Sequence, residues 1–592
     1  MSQDFSFQSR QLWQTYLAAE YDSLSELLLL GWSHFEQNTY LSLDQNQRYG
    51  INTWVSSFLG LFCQPDYILS DRYIPTFIRL NLIIANVVAI SSFGSTDAHL
   101  QILLVQPSNF AKLLTLYSAR NQVKIDRAEI FAASPELACL WYSCYLQGYR
   151  SMLANPVSYQ NLREHLAFVN AVGSELLTEF YHLDDLIFGS TYIDPERDRD
   201  LKQKINQTIQ QKQQNEIIRN FPNPQKIAIV TSLWFPQHSV YRILSQYVDA
   251  LKSEYELTLI HLGEVRNNLQ IEGFKSIRYI YFKNGVLDIE ALRQNEFMVI
   301  FYPDVGMSLE SIILSNLRLA PIQICGTGHS VSTFGSQIDY YISGELVEND
   351  ARNYSERLVL LPDLGAIHNC PDYKLPARPN LISLEEKPII INCSWYAQKV
   401  NYPLLLVLKQ ILAETDLPVI FRIFAGAALV QRNDFIPFYQ DVSAVLGHEC
   451  VEIFPALPYV EYMAKMAEGD LCIESFPFGG CNIIVDGLFL RIPTVCLAGD
   501  RWFNRIGAKT LELAGLGELV ANTIPEYIEL ILRLVCDRPF RYKMQQKLQQ
   551  QDLNATIFNT KSQKSFLQAI SFLIQNHEYL KHQDPKIPTH IH

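Results

Sequence analysis

The distribution of apolar and polar residues divides the chain into a helical part and a longer part in which strands alternate with helices. Residues 1–190 carry Leu, Tyr, Phe and Gln at helical spacing with few glycines, which predicts an irregular all-helical domain. No segment repeats at a fixed period, so a tetratricopeptide solenoid is not supported. Residues 191–225 are polar and rich in Gln and Lys, and we interpret them as a linker or solvated helix that ends at a pair of prolines.

From residue 226 onward, short apolar runs alternate with amphipathic stretches. KIAIV, LTLIHL and PIQIC predict strands of a first series, and PIIINCS, PVIFRIFA and VEIF predict strands of a second series after a break near 362–386. Alternating strands and helices favour parallel, doubly wound sheets. The sequence therefore predicts an α/β fold with two Rossmann-like domains facing a cleft. We assign residues 226–375 to the first and 376–592, including C-terminal helices, to the second. Ligands of such sheets bind outside the carboxyl ends of the strands.

The pattern of residues 470–500, in the second domain, predicts a strand, a glycine loop, a helix and a second strand. A glycine loop that leads into a helix presents unpaired backbone N–H groups and the positive end of the helix dipole, which suits a phosphate. Gly480 precedes the predicted helix, and Asn482 and Asp486 lie four residues apart on one face of it. This spacing suits a nucleotide, with Asp486 accepting from ribose hydroxyls. An ordinary α/β crossover with a tight turn is the alternative.

In the first domain, two histidines follow predicted strands. His238 and Ser239 lie where the first strand passes into a helix, and His329 lies in the glycine-rich segment CGTGHSVSTFG. At this position His238 could lie near a reacting sugar or its phosphate, and the glycine-rich loop that carries His329 could line the cleft. The alternative is structural, because His238 and Ser239 also stand where a helix cap is needed and Ser239 could serve as that cap.

In the second domain, Gln398 and Lys399 follow a predicted strand, where a lysine can reach a diphosphate as a mobile point charge. Leu457 and Tyr462 follow another strand and could form a wall for a nucleobase. A solvated lysine and ordinary helix-core residues are the alternatives for these positions.

Composition narrows the function classes. The net charge is −13 with no long basic run, which argues against nucleic acid and against an anionic membrane surface as partners. The eleven cysteines include no Cys-x-x-Cys pair, and we interpret them as reduced residues of a cytoplasmic protein. We see no metal-ligand motif and no cofactor motif. Asp198-Arg199-Asp200 has a spacing that binds divalent metal in some sugar-nucleotide enzymes, but in this polar run we expect it to be solvated surface.

Several segments in the same order resemble one family. These are HSVYR, FYPDVGMS, LAPIQICGTGHSVSTFGSQIDYYI, YSERLVLLP, the Gln-Lys pair, ESFPFGGCNIIVDGL with IPTVCLAGD, and IFNTK. Over about residues 225–580 they resemble the bacterial cytoplasmic N-glucosyltransferases that modify adhesins. More distantly, they resemble the O-linked N-acetylglucosamine transferases of the same superfamily. The helical N-terminus without tetratricopeptide repeats favours the bacterial branch.

The resemblance implies a GT-B fold, a UDP-sugar donor, inversion at the anomeric carbon and no required metal or cofactor. By the same resemblance, Lys399 matches the lysine on the donor diphosphate, and Asn482 and Asp486 match the nucleotide-binding amide and carboxylate. His238 matches the active-site histidine, and His329 falls in the matching Gly-His loop. The chain departs from the bacterial pattern in its GGCN loop.

These observations lead to one expected function. We expect a metal-independent transferase that moves a hexose, glucose above others, from a UDP-sugar to a protein side chain, with Asn favoured over Ser or Thr. The acceptor expected from the family is an adhesin or another surface protein before export. We further expect residues 1–190 to help bind the acceptor rather than the donor. The alternatives are transfer to Ser/Thr from UDP-N-acetylglucosamine, transfer to a small molecule or glycan, and a degenerate protein that only binds partners.

Overall fold

The structure is a computed structural model. It describes residues 5–105, 109–168, 182–212, 221–293, 296–375, 387–426, 429 and 431–592. The break predicted near 362–386 lies partly outside the described residues. The chain divides into two compact units. The first comprises Met1–Asp198, Trp395–Gln410 and Arg422–Leu457, and the second comprises Arg199–Ser394, Ile411–Phe421 and Pro458–His592.

The helices are as follows: α1 Phe5–Leu17, α2 Tyr21–Gln37, α3 Gln45–Phe62, α4 Ile74–Arg79, α5 Asn81–Ala89, α6 Asp97–Leu104, α7 Phe110–Leu116, α8 Arg127–Ala133, α9 Pro135–Leu146, α10 Pro156–Phe168, α11 Leu183–Ile193, α12 Asp198–Lys212, α13 Ser239–Leu251, α14 Glu290–Arg293, α15 Leu309–Ser315, α16 Tyr402–Ala413, α17 Phe435–Leu446, α18 Tyr459–Ala467, α19 Asn482–Phe489, α20 Trp502–Leu513, α21 Ile524–Cys536, α22 Arg538–Gln550, α23 Leu553–Thr556 and α24 Gln563–Leu580.

The strands are as follows: β1 Asn223–Thr231, β2 Glu256–Leu262, β3 Ser276–Ile280, β4 Phe282–Lys283, β5 Val286–Leu287, β6 Phe297–Tyr302, β7 Ile322–Gly326, β8 Tyr340–Gly344, β9 Arg357–Leu361, β10 Ile389–Cys393, β11 Val419–Gly426, β12 Val451–Pro455, β13 Leu471–Ile473, β14 Thr494–Leu497, β15 Val520–Ala521 and β16 Thr589–His590.

The first unit is built on the N-terminal helices. Their apolar faces bury an aromatic core in which the Trp32 ring packs edge to face with Trp54 and with Phe58. As predicted, the secondary structure of the described residues as far as α11 is helical. Helix α5, from the most apolar run of the chain, is buried on nearly every side. Among the described residues, no helix combines the length and apolarity that crossing a membrane requires.

A segment from much later in the sequence completes the core of the first unit. Asp434, just before α17, accepts hydrogen bonds at Oδ1 from Asn86 (2.5 Å) and from Ser151 (2.6 Å), and all three side chains are buried. Asp441 on α17 pairs with Arg120 at 2.9 Å and accepts from Asn155 at 2.8 Å. The helical residues 1–198 therefore share one core with residues 422–457.

The second unit contains an eight-stranded sheet in the order β16-β9-β8-β7-β6-β1-β2-β3, and its neighbouring strands pair in parallel. The other large sheet has the order β12-β11-β10-β13-β14-β15, in which β10, β13, β14 and β15 pair in parallel. Buried apolar strands with helices between them are what parallel sheets require. The two predicted series of strands thus form two sheets.

Three elements of the second unit differ from the sequence-based expectation. Helix α12, in the predicted polar linker, buries Leu201, Lys202 and Ile205, so the expected solvation is wrong for this helix. Helix α24 and β16 were expected to accompany the second Rossmann-like domain. In the structure, Phe566 of α24 lies 5.3 Å from the Tyr247 ring, and β16 pairs with β9 of the first sheet. The amphipathic α24 covers this sheet because its apolar face matches the buried face of α13.

Candidate active site

Helix α19 carries the predicted nucleotide residues in the second unit. Asn482 is the first residue of the helix and Asp486 lies one turn later, and both side chains are more than nine-tenths buried. The Asn482 side-chain amide donates to the Ser239 carbonyl oxygen at 3.2 Å. This contact brings the first turn of α13, which Ser239 begins, to the start of α19. The structure therefore places three predicted residues in one cluster.

Asp486 is held by two residues that the sequence analysis did not assign. Arg242 on α13 donates to Oδ1 at 2.6 Å and to Oδ2 at 3.3 Å, and the Tyr459 hydroxyl donates to Oδ1 at 2.9 Å. The Arg242 guanidinium also lies 5.4 Å from the centre of the Tyr459 ring. A carboxylate with a two-point arginine contact is fixed in position. The only available signal was that Arg242 lies one helical turn after His238 in HSVYR.

The glycine loop before α19 folds around a buried glutamate. The Gly480 N–H donates to Glu474 Oε1 at 2.9 Å, and the Gly479 N–H donates to the Phe503 carbonyl oxygen at 3.0 Å. A Cβ on Gly479 would lie 2.4 Å from Glu474 Oε1, so this position has no room for a side chain. The expectation that the Gly480 N–H points outward to a phosphate is wrong in this structure, because Glu474 already accepts it.

His238 caps α13 through its ring. Its Nδ1 accepts from the Val240 N–H at 3.2 Å, which makes His238 rather than Ser239 the N-cap, and Ser239 is exposed. Burial, with a smaller contribution from Arg266, lowers the pKa of His238 to about 4. The ring is therefore neutral near pH 7 and carries its proton on Nε2. This tautomer donates a hydrogen bond and does not suit the role of a base at Nε2.

His329 has the opposite tautomer. Its Nδ1–H donates to the Val305 carbonyl oxygen at 2.9 Å, which leaves the lone pair on Nε2. Burial, with a contribution from Lys202, lowers the pKa of His329 to about 3. A Cβ on Gly328 would lie 2.1 Å from the Pro303 oxygen and 3.1 Å from Val240 Cγ1. The loop that carries His329 therefore lies against the end of β6 and the first turn of α13.

Asp304 joins the two strands at which the order of the first sheet reverses. β1 lies between β6 and β2, so the crevice between β1 and β6 is the switch point at which such sheets bind ligands. Asp304 follows β6, and its Oδ2 accepts from the Ser232 N–H at 3.1 Å and from the Ser232 hydroxyl at 2.9 Å. Burial raises the pKa of Asp304 to about 6.

The remaining predicted residues are divided between the two units. Tyr462 on α18 donates to the Ser394 hydroxyl at 3.2 Å, and its ring lies 6.0 Å from Tyr459, so it joins the Asp486 cluster of the second unit. Gln398 and Lys399 lie in a 3₁₀ turn, Ala397–Lys399, of the first unit. Leu457 is half-buried at the end of the first unit.

Among the described residues, one group has the spacing of a metal site. One ligand atom each of His182, Asp184 and Asp185 lies within 4.8 Å of the others. Asp185, however, accepts hydrogen bonds from Gln147 at 2.7 Å and from Tyr149 at 3.0 Å and forms an ion pair with Arg150. Its oxygens are therefore engaged by contacts that stabilise the fold. Asp198 of the Asp-Arg-Asp segment is buried and accepts from Thr191, so the expected solvated surface is wrong for it.

Comparison with known proteins decides the broad class of the chain. Residues 451–567, which include Asn482 and Asp486, match glycosyl transferase family 41. A UDP-glucose:protein N-beta-glucosyltransferase of Actinobacillus pleuropneumoniae serotype 5b is 24% identical over 539 residues, which cover 84% of each chain. The chain is a glycosyltransferase related to family 41. A second Actinobacillus pleuropneumoniae protein of that name, from serotype 7, is 28% identical to this chain. The match covers 46% of this chain and 43% of the relative.

The fold of the glycosyltransferase also has a solved counterpart. A mutant of the Thermobaculum terrenum O-GlcNAc transferase matches 98% of this chain and 100% of its own, with a TM-score of 0.58 and 15% identity. The predicted fold class is confirmed, with two Rossmann-like sheets of the GT-B type after an all-helical segment. The resemblance to the bacterial N-glucosyltransferases and to the O-GlcNAc transferase superfamily is confirmed as well.

Proposed function

We propose that the protein transfers glucose from UDP-glucose to the side-chain amide of an asparagine in an acceptor protein, with inversion and without a metal, in the cytoplasm. The observation that carries this proposal is the Actinobacillus relative, which aligns over 84% of both chains and therefore includes the helical N-terminal part. A relative that matched the nucleotide-binding region alone would support only a UDP-sugar donor.

The use of a UDP-sugar donor is supported by the Asp486 cluster, which includes Asp486, Arg242 and Tyr459. Arg242 and Tyr459 hold Asp486, so its remaining lone pairs can accept from ribose hydroxyls without reorganisation. When the bond between the anomeric carbon and the diphosphate breaks, negative charge grows on the diphosphate. Lys399 would stabilise that charge, because a positioned cation acts most strongly where charge develops.

The acceptor half concerns the bond that forms. In a single displacement, the amide nitrogen of asparagine attacks the anomeric carbon from the side opposite the leaving UDP, which inverts the configuration. The bond between the anomeric carbon and the diphosphate oxygen breaks, UDP leaves with that electron pair, and the nitrogen releases one proton to water. His238, with its proton on Nε2, would donate a hydrogen bond to an oxygen of the sugar or of the acceptor. A neutral donor at this position orients the reacting groups without competing for the proton that the amide loses.

The acceptor that we propose is an adhesin or another surface protein before its export. This follows from the expected family and from the protein acceptor in the name of the Actinobacillus relative. An unfolded protein on the cytoplasmic side would expose asparagine side chains to the enzyme.

The test is transfer from labelled UDP-glucose, UDP-galactose and UDP-N-acetylglucosamine to proteins of a host lysate, followed by mass spectrometry of the modified residues. We expect hexose on asparagine with UDP-glucose as the preferred donor, and transfer by Lys399→Ala that is slower by on the order of a hundredfold. Modified Ser or Thr would favour the O-linked alternative, and label in a glycan or small molecule would favour the non-protein alternative. UDP binding without any transfer would contradict the proposal and favour a degenerate binding protein.

A further inference from the structure

The segment that carries Lys399 is built into the first unit. Trp395, Ala397 and Val400 are fully buried, and the 3₁₀ turn Ala397–Lys399 contacts α11 and the turn at residues 147–150. Three residues after Lys399, the Tyr402 N–H donates to the Leu153 carbonyl oxygen at 2.8 Å. This is a backbone contact with the helical segment, so residues 395–402, which we call the lysine segment, are fixed by residues 1–198.

One side chain of the helical segment reaches the neighbour of Lys399. The hydroxyl of Tyr192, near the end of α11, is hydrogen-bonded with the side chain of Gln398. Tyr192 is 8% exposed, so its hydroxyl has little access to water. A buried hydroxyl with an amide partner is costly to leave unpaired, and this contact therefore selects one conformation of Gln398.

Tyr192 is itself held by a buried polar network. Its ring stacks on Tyr149 with centroids 6.5 Å apart and planes at 14°. The Tyr149 hydroxyl donates to Asp185 at 3.0 Å, and Asp185 lies on α11 two turns before Tyr192. Gly189 makes room for this arrangement, since a Cβ there would lie 2.5 Å from the Tyr149 ring. The Tyr192 ring therefore has little freedom to follow a displaced Gln398.

The other side of the lysine segment is fixed by a strand end. Gly426, the last residue of β11, has a φ of +81°, and a Cβ on it would lie 2.2 Å from the Tyr396 ring. Tyr396 thus packs on a position that only glycine can occupy. The lysine segment is held by Gly426 at one point and by Tyr192 and Leu153 at two others, all within the first unit.

We infer that the helical segment serves the donor as well as any acceptor, and that Tyr192 is a positioning residue that acts through Gln398 on Lys399. The inference rests on the proposed function for the role of Lys399. A misplacement of about 1 Å in a group that stabilises charge can lower a rate by about a hundredfold, so a hydroxyl that fixes the adjacent residue affects the chemical step. This role adds to the expected one, in which residues 1–190 bind the acceptor.

The experiment removes only the hydroxyl, in Tyr192→Phe, and compares it with Gln398→Ala and with the double variant. We expect each single variant to lower kcat by about tenfold with a smaller change in the KM for UDP-glucose, because the leaving-group contact strengthens as the bond breaks. We expect the double variant to equal Gln398→Ala, because the hydroxyl acts only through that amide. UDP affinity, measured by calorimetry, should follow the same non-additive pattern with a smaller amplitude.

Tyr142→Phe is the matched control. It removes a fully buried hydroxyl of the same unit, which donates to the His165 carbonyl oxygen at 2.9 Å, a partner outside the lysine segment. We expect a lower Tm with unchanged kcat. The inference is overturned if Tyr192→Phe keeps the wild-type kcat and UDP affinity, or if its effect multiplies with that of Gln398→Ala. If wild-type protein modifies no acceptor, the proposed function fails, and the UDP-affinity cycle still decides the inference. If the wild-type protein binds no UDP, both the proposed function and the inference are overturned.

Discussion

The two histidines of the candidate site hold their protons on opposite ring nitrogens. His238 accepts a backbone N–H at Nδ1, whereas His329 donates from Nδ1 to a carbonyl oxygen. Burial keeps the pKa of each well below the ordinary value near 6.5, so both rings are neutral over the physiological range. Activity should therefore not depend on protonation of either histidine near pH 6.5.

At the residue scale, Lys399→Ala tests the leaving-group role. If Lys399 meets a diphosphate whose charge grows during transfer, its loss should lower kcat by on the order of a hundredfold while UDP affinity falls less. Steady-state kinetics with UDP-glucose and calorimetry with UDP give the two quantities, and circular dichroism checks the fold. A variant in which only KM rises would show that the lysine binds the ground state alone.

Arg242→Met tests the ion pair at Asp486. The substitution leaves a carboxylate that is 2% exposed without its cation, so we expect a loss of about 3–5 kcal/mol in the free energy of unfolding. Arg242→Met combined with Asp486→Leu removes both charges and should be more stable than the single variant. Urea unfolding at pH 7 measures all three proteins. Equal stability of the single and double variants would mean that the pair does not hold Asp486.

Arg242 also shows the limit of prediction for single residues. Asn482 and Asp486 were found because their spacing on one helix is visible in the sequence. Arg242 and Tyr459 lie 244 and 27 residues from Asp486, and only the fold brings them to it. The same holds for Glu474, which takes the Gly480 N–H that the loop pattern alone assigned to a phosphate.

At the scale of elements, Asp304 couples β1 and β6 in a pH-dependent way. Burial raises its pKa to about 6, above the value near 3.8 of an unfolded chain. The folded state therefore binds the proton more tightly, and the stability that Asp304 contributes at low pH is lost as the pH rises from about 4 to about 6. In Asp304→Asn that loss is absent. The stability of this variant relative to wild type should thus rise by about 3 kcal/mol between pH 4 and pH 7.

Urea unfolding across this pH range measures the effect, and Asp350→Asn is the control. Hydrogen bonds from Arg352 lower the pKa of Asp350, so its stabilising contribution appears as the pH rises and the control should change in the opposite direction. Parallel pH profiles of wild type and Asp304→Asn would show that Asp304 is ionised normally in the folded protein.

The contact between α17 and the N-terminal helices supports a second prediction at this scale. Asp441→Ala leaves the buried Arg120 guanidinium without its carboxylate, so we expect a loss of about 3–5 kcal/mol in stability. Glu578→Ala, which breaks the exposed pair with Lys581, should cause no measurable change. Thermal unfolding compares the two variants. Similar Tm values for both would mean that residues 1–198 and α17 do not form one core.

Elements with a continuous apolar run were predictable, and those defined by their partners were not. The predicted runs KIAIV and PIQIC correspond to β1, Asn223–Thr231, and to β7, Ile322–Gly326, because buried parallel strands are mostly apolar. β16 consists of two polar residues that become a strand only beside β9. α12 was taken for solvated surface because its pattern is polar, yet it buries Lys202, whose Nζ lies 5.6 Å from the centre of the Phe334 ring.

At the scale of the whole molecule, the expected absence of a metal requirement can be tested directly. Lys399 would supply the charge that a divalent ion supplies in metal-dependent transferases, so UDP affinity and transfer should be the same with and without a chelator. Calorimetry with UDP and the transfer assay, each run after dialysis against a chelator, measure this. Recovery of activity only on addition of manganese or magnesium would contradict the expectation.

The discontinuous first unit has a consequence during synthesis on the ribosome. Ser151 and Asn86 emerge 283 and 348 residues before Asp434, the partner that they share in the folded protein. At about 5–20 residues per second, this separation corresponds to a delay of roughly 14 to 70 s. For that time, the nascent helical segment has an incomplete core and exposes apolar and polar groups that the rest of the chain later covers. We therefore expect residues 1–198 to depend on chaperones during this interval, before they become part of an enzyme.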